Sequence, residues 1–349
     1  MKHTVSGLIA LLGFAAVPGI AQAALSFSTF VGAGAISAAE SGINSTIAFA
    51  YTGTGFVGSV YVGPTNNQLY STDLSGGNVA PYGQPIPDFS SEVVLGVGLG
   101  KGGFAAGTVY AGNGADGTIY RVPASGVPTL FASLPDELNI RQIFMDPGTT
   151  FGGNMLVSTS FGDIYSISSN GTVTMLATIG VDTEGMDIAS NRFGPLSGSL
   201  LVASEGSGEL NAIDPITHDV TLVASGLTQA ETVLTVPANA CSPSSSIEGF
   251  YVANYPNNIQ FASSAQFCDY VGDTIVTGEF DSNSQVVAIH WNGTSYTTTL
   301  IGTLPDQAED GIFVTTERVI DLTSVPEPAT LALFGVALPG LACAVRRRT

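Results

Sequence analysis

Five segments of the chain place acidic residues just ahead of, or just inside, an apolar run. They are Ile86-Pro-Asp-Phe-Ser-Ser-Glu92, Leu134-Pro-Asp-Glu-Leu-Asn-Ile-Arg141, Val181-Asp-Thr-Glu184, Leu227-Thr-Gln-Ala-Glu231 and Leu304-Pro-Asp-Gln-Ala-Glu309-Asp310. Were those runs strands converging on one axis, Glu92, Glu184, Glu231, Glu309 and Asp310 would crowd a single opening, with Arg141 the one cation among them. Carboxylates so crowded repel unless a cation neutralises them, and Ca²⁺ takes oxygen ligands in flexible geometry. A bound Ca²⁺ or another polar ligand is therefore one expectation for these five residues. The competing expectation is that they are exposed turn formers on a rim, multiplied by duplication of a repeat. Arg141 departs from an all-oxygen site, and both expectations stay open on sequence alone.

Other reactive residues carry less. His218 lies in the turn Asp214-Pro-Ile-Thr-His-Asp219, and His290 abuts Trp291 just before Asn292-Gly293. The chain has no Gly-x-Ser-x-Gly elbow and no His-Glu-x-x-His pair. Gly98-Leu-Gly-Lys-Gly-Gly has glycines and a lysine without the spacing of a phosphate loop. No catalytic residue is assigned.

The elements that would position the carboxylates repeat. Gly58-Ser-Val-Tyr-Val, Gly107-Thr-Val-Tyr-Ala, Gly153-Asn-Met-Leu-Val and Gly198-Ser-Leu-Leu-Val start units 49, 46 and 45 residues apart, and Gly272-Asp-Thr-Ile-Val starts another after 74. Past a Gly/Asn/Asp turn comes a second run, as in Asp163-Ile-Tyr-Ser-Ile, then a third, as in Thr172-Val-Thr-Met-Leu-Ala. One more apolar run precedes the next start, as in Met186-Asp-Ile-Ala and Thr232-Val-Leu-Thr-Val. Four short strands in about 45 residues is the period of a β-propeller blade. The expected fold is all-β: a β-propeller of about six four-stranded blades, with five or seven as alternatives and a β-sandwich or β-helix as competing architectures. The long step exceeds the others by about 28 residues, close to the Cys241–Cys268 span. It reads as a disulfide-stapled insertion near 241–268. Residues 309–322 and roughly 25–57 would then supply the last blade from both termini.

Over residues 58–315 these units are similar to those of NHL/SGL-type propellers. In gluconolactonase-like propellers a Ca²⁺ at the channel mouth polarises a lactone and activates water. The resemblance thus implies an alternative function, a Ca²⁺-dependent gluconolactonase-like hydrolase using the channel-mouth carboxylates. Tyr61, Tyr110, Tyr120, Tyr165 and Tyr251 would stack on sugars wherever they are exposed, although packing between blades would bury most of them.

The ends of the chain are of a different kind. Lys2 and His3 precede the apolar run Gly7–Val17, and Ala21-Gln22-Ala23 places small residues at −3 and −1 of a cleavage site. Residues 1–23 are expected to be a secretory signal peptide cleaved after Ala23. At the other end Pro326-Glu327-Pro328 precedes the apolar stretch 331–345 and then Arg346-Arg347-Arg348. As a helix that stretch spans about 22 Å at 1.5 Å per residue, short for a bilayer core of about 30 Å. The arginines after it would stay on the cytoplasmic side.

This order of Pro-Glu-Pro, apolar helix and basic stop resembles the PEP-CTERM sorting signal over residues 326–349. The resemblance implies an exosortase as processing partner and membrane attachment through the C-terminal helix before processing. It also implies a Gram-negative host, with the cell envelope or the biofilm matrix as destination and extracellular polysaccharide as a neighbour. On this reading the body, residues 24–325, is a non-catalytic propeller with a binding or structural role.

Composition agrees with export and excludes other classes. The chain holds 9 Lys+Arg against 28 Asp+Glu, and residues 24–325 keep 5 against 27, a net charge of −22. So acidic a body cannot displace counterions from phosphates, and nucleic acid is excluded as a partner. A hydrophobic fraction of 44% supplies a core and argues against disorder. Cys343 falls in the tail, leaving Cys241 and Cys268 in a compartment where disulfides persist. One bridge between them is expected, with two separate buried thiols as the alternative. It would close a 27-residue loop, contributing roughly 3 to 4 kcal/mol on the chain-entropy account.

Overall fold

Runs rich in Val, Ile, Thr and aromatic residues, punctuated by Gly, Asn and Asp, form 24 strands among the described residues, paired antiparallel into six four-stranded sheets. The computed structural model describes residues 24–61, 68–87, 92–113, 116–135, 139–279 and 283–315. The expected signal peptide and the PEP-CTERM tail, with its apolar helix, lie outside the described residues.

Four blades are built from consecutive chain. Blade one comprises β2 (Thr46–Tyr51), β3 (Phe56–Val60), β4 (Leu69–Thr72) and β5 (Ala80–Tyr82). Blade two comprises β6 (Val93–Val97), β7 (Val109–Asn113), β8 (Thr118–Val122) and β9 (Thr129–Ser133). Blade three comprises β10 (Ile140–Met145), β11 (Met155–Thr159), β12 (Asp163–Ile167) and β13 (Val173–Thr178). Blade four comprises β14 (Met186–Ile188), β15 (Leu200–Ser204), β16 (Glu209–Ile213) and β17 (Val220–Ser225). Each glycine-led run of the repeat is the second strand of its blade. The additional run before it is the innermost strand.

The last two blades are interwoven. Blade five orders β18 (Ala230–Thr235), β21 (Thr274–Gly278), β22 (Gln285–Trp291) and β23 (Tyr296–Thr303). Between its first two strands the chain leaves to form β19 (Gly249–Tyr255) and β20 (Asn258–Ser263). These are the two middle strands of blade six, with β24 (Gln307–Val314) inside them and β1 (Ser28–Val31) outside. The expected insertion is therefore corrected. The segment between Cys241 and Cys268 is a structural hairpin, because β24 and β1 alone would leave a two-stranded blade with open edges. Residues 46–51, expected in the last blade, instead open blade one. Cys241 and Cys268 are disulfide-bonded across the base of this excursion. Backbone bonds between Val236 and Gly272–Asp273 pinch the same base.

Six apolar clusters hold the ring, one at each interface between neighbouring blades. The innermost strands β2, β6, β10, β14, β18 and β24 touch in sequence around the axis. They run from one mouth of the central channel to the other. The acidic segments thus all open onto the same mouth, where each innermost strand begins.

Candidate functional site

β-Bulges aim the mouth residues. The β10–β11 ladder slips between Ile140 and Gln142, leaving Arg141 in the bulge. The β18–β21 ladder slips between Ala230 and Val233, freeing Glu231 and Thr232. The β19–β24 ladder slips between Val252 and Asn254, opposite Glu309 and Asp310. The β2–β3 ladder slips too, between Thr46 and Phe49. A bulge releases a residue from strict alternation and re-aims its side chain, and four innermost strands use one at the mouth. Blade four reaches the same level differently: Gly185 N–H donates to Glu231 O at 2.7 Å, tying its entry segment to β18. A Cβ on Gly185 would lie 2.5 Å from Glu231 O and from Val233 N, so only glycine permits this approach.

These segments enclose a cavity of about 160 Å³. All five sequence-designated carboxylates line it: Glu92, Glu184, Glu231, Glu309 and Asp310, together with Arg141. Gln142, Glu205 and Glu279 line it too, and Asp182 stands at its edge against Arg141. Gln142 Nε2 donates to Asp310 Oδ1 at 3.1 Å, while Gln142 Oε1 accepts from Met186 N–H. This amide forms the floor, for Gln142 and Asp310 also line an apolar stretch of channel beyond, among Leu95, Ile143, Met186 and Phe313.

One side of the ring is paired. Arg141 Nη1 donates to Glu92 Oε2 at 2.7 Å, Nη2 to Asp182 Oδ2 at 2.5 Å and Nε to Asp182 Oδ1 at 3.0 Å. Its Nε also lies 3.1 Å from Glu184 Oε1. Burial alone would lower the Arg141 pKa, but Glu184 and Asp182 beside it more than reverse that and hold it charged. Burial pushes Asp182 and Glu184 upward, and Arg141 pulls both back.

On the other side no carboxylate pairs with a cation among the described residues, although Arg141 draws Glu279 and Glu309 downward from a distance. Glu231 is 7% exposed, and its carboxylate accepts no hydrogen bond among the described residues. Burial, then Glu184, Glu309, Glu279 and Glu205, push its pKa well above the ordinary range. Gln307 Nε2 donates to both Glu279 Oε1 and Glu309 Oε1, bridging them with a neutral amide. Burial and Glu205 raise Glu279 to about 8, and burial and Glu279 raise Glu309 well above its usual value. Burial lifts Asp310 to about 7, against the Gln142 hydrogen bond.

Glu205 and Glu279 do not precede an innermost strand, so reasoning from those segments misses them. They follow the second strands β15 and β21 directly. A signal was present: each glutamate stands seven residues after its repeat glycine, Gly198 or Gly272. Packing takes four of the five tyrosines offered for sugar stacking, as expected of most of them. Tyr110, Tyr120, Tyr165 and Tyr251 are buried between or within blades, and only Tyr61 is exposed.

Residues 324–348 match the PEP-CTERM protein-sorting motif. The motif indicates an exported protein sorted to the cell surface and processed by an exosortase. No curated protein matches the chain. Among solved structures, the chain is similar to a catalytically inactive virginiamycin B lyase from Staphylococcus aureus with quinupristin, at 12% identity and a TM-score of 0.49, covering 74% of this chain and 70% of that one. Selenomethionine-substituted virginiamycin B lyase from the same organism is 10% identical, with a TM-score of 0.42 over 74% and 85% of the two chains. A protein of unknown function from Bacteroides caccae is 11% identical, with a TM-score of 0.42 over 69% and 71%.

Proposed function

We propose that this chain is a surface-sorted binding protein of the cell envelope or biofilm matrix, and that its propeller holds a divalent cation at the acidic mouth. The observation that carries the reading is Glu231: a buried carboxylate with no hydrogen bond among the described residues, acted on by other carboxylates and lining a cavity. Such a group is costly without a positive partner. The side chains that reach the cavity with metal-binding atoms are carboxylates, with an amide at the floor. That donor set suits a hard cation such as Ca²⁺, not Zn²⁺ or Cu²⁺, which favour imidazole and thiolate. Extracellular polysaccharide is the partner we assign to the loaded protein, since a cation with ligand positions left over can join protein and polymer carboxylates.

Calorimetric titration of the full-length chain with Ca²⁺ in mild detergent tests this, with and without polysaccharide from the same organism. Binding heat and a raised melting temperature support the reading. Their absence sinks it. A second reading, Ca²⁺-dependent lactone hydrolysis, is favoured by Glu279 and Asp310, whose pKa values of about 8 and about 7 suit general acid–base work near neutral pH. Ca²⁺-dependent turnover of an aldonolactone, lost in Glu279→Gln, would select it.

A further inference from the structure

We infer that Arg141 is a resident cation serving one arc of the mouth, and that the exchangeable divalent ion sits off-axis on the opposite arc, on Glu231, Glu279 and Glu309. This placement rests on the cation-binding reading above and deepens it.

Carboxylate packing alone would put the ion elsewhere. Asp182, Glu184 and Glu205 offer oxygens all within 4.8 Å of one another, a ready ligand set by distance. Two of the three, however, already face the guanidinium. Asp182 receives two of its N–H groups, and Glu184 lies 3.1 Å from Nε. A divalent ion there would have to displace Arg141 or stand against it. Arg141 is poorly placed to retreat, because its third contact, to Glu92, holds the fork from blade two while Asp182 holds it from blade four. A planar fork fixed on both sides loses several hydrogen bonds at once if it turns away.

No carboxylate of the opposite arc pairs with the guanidinium among the described residues, and Arg141 reaches Glu279 and Glu309 only as a longer-range pull that lowers both. The charged groups that act on Glu231 are Glu184, Glu309, Glu279 and Glu205, every one acidic. Glu231 is more than nine-tenths buried and lines the cavity, and no side chain or backbone group among the described residues donates to its carboxylate. Gln307 holds one oxygen of Glu279 and one of Glu309, and Glu279 also shares a side-chain hydrogen bond with Glu205, which fixes these side chains at the cavity wall. With Gln307 on one oxygen each of Glu279 and Glu309, the three carboxylates offer at most about four free oxygens, fewer than the six to eight that Ca²⁺ takes, so water must supply the rest of the shell. Glu205, at the end of the second strand of blade four, stands between the arcs and electrostatically acts on both.

Ca²⁺ titration of the full-length chain and three isosteric variants decides the placement. Wild type should take up one ion. Glu231→Gln and Glu279→Gln should each weaken binding about tenfold or more, while Asp182→Asn should change it by less than about threefold. If Asp182→Asn abolishes binding and Glu231→Gln leaves it intact, the ion sits on the Arg141 arc and this inference is wrong, although cation binding stands. No uptake by wild type overturns the cation-binding reading itself. Thermal melts in EDTA identify any variant that fails to fold, and Glu309→Gln then substitutes for a lost Glu231→Gln or Glu279→Gln.

Discussion

The two arcs of the channel mouth are made of the same residue type and carry opposite electrostatics. On the side of blades two to four, Glu92, Asp182 and Glu184 converge on one guanidinium. On the side of blades five and six, Glu231, Glu279 and Glu309 line the same cavity, with the neutral Gln307 between two of them. The first arc is partly neutralised as folded, for one guanidinium faces three carboxylates. The second stores repulsion that protonation or a cation must relieve. Identical residue types thus give a structural clasp in one place and, in the reading proposed above, a cation site in the other. The difference comes from one side chain, Arg141, placed by one bulge in β10.

The comparison breaks most sharply if Arg141 is removed. Arg141→Met should destabilise the protein by about 3 kcal/mol near pH 7.5, since deleting one partner of a partly buried ion pair strands the others. The Arg141 side chain is only 20% exposed, so solvent screening discounts this little. Urea denaturation measures it. The loss should shrink toward pH 5, where the stranded carboxylates take up protons. A loss of under 1 kcal/mol at both pH values would mean that the clasp is a surface pair like any other.

A smaller effect should come from pH alone. In EDTA, native Glu279 and Asp310 hold protons up to about pH 8 and about pH 7, far above their ordinary values. Between pH 4 and pH 8 the native state therefore binds more protons than the unfolded chain, and stability falls as pH rises. The contribution is complete below about pH 4 and lost as pH climbs through 7 and 8. The melting temperature should drop by a few degrees from pH 5.5 to pH 8.5, and saturating Ca²⁺ should flatten the slope. Asp73, held at about 2 by its bonds to Ser75 and Gly77, titrates below this window and does not confound it. A melting temperature that rises with pH would contradict the stored repulsion.

How much of this was legible differs between the same two sides of the molecule. Blades one to four could be read because their strands are contiguous, so the glycine starts recur at a nearly constant step. Blade six could not, because its strands come from three distant stretches and a period measured along the chain cannot see which strand pairs with which. Gly249-Phe-Tyr-Val-Ala-Asn-Tyr255 has the composition of a strand, yet the excess length around it read as an insertion. The carboxylates that precede or occupy innermost strands were legible from position alone. Glu205 and Glu279 were not, since they arrive on turns between second and third strands. Nor were the bulges, because a single unpaired residue leaves no periodic trace.

The smallest expected effect isolates the second arc. Glutamine matches protonated glutamate closely in shape and carries no charge. In EDTA at the acid end of the native range, where burial and four acidic neighbours favour the protonated form of Glu231, Glu231→Gln should melt within about 1 °C of wild type, a difference under about 0.5 kcal/mol. As pH rises the wild-type side chain comes under pressure to ionise among Glu184, Glu279 and Glu309, and the variant does not. The variant should therefore become the more stable of the two by pH 8.5. Added Ca²⁺ should reverse the order, stabilising wild type and leaving Glu231→Gln almost unmoved. A crossover in stability set by pH and by the cation is what a binding carboxylate produces. A Glu231 that served only to pack β18 against blade four would give a constant offset, the same at each pH and with or without Ca²⁺.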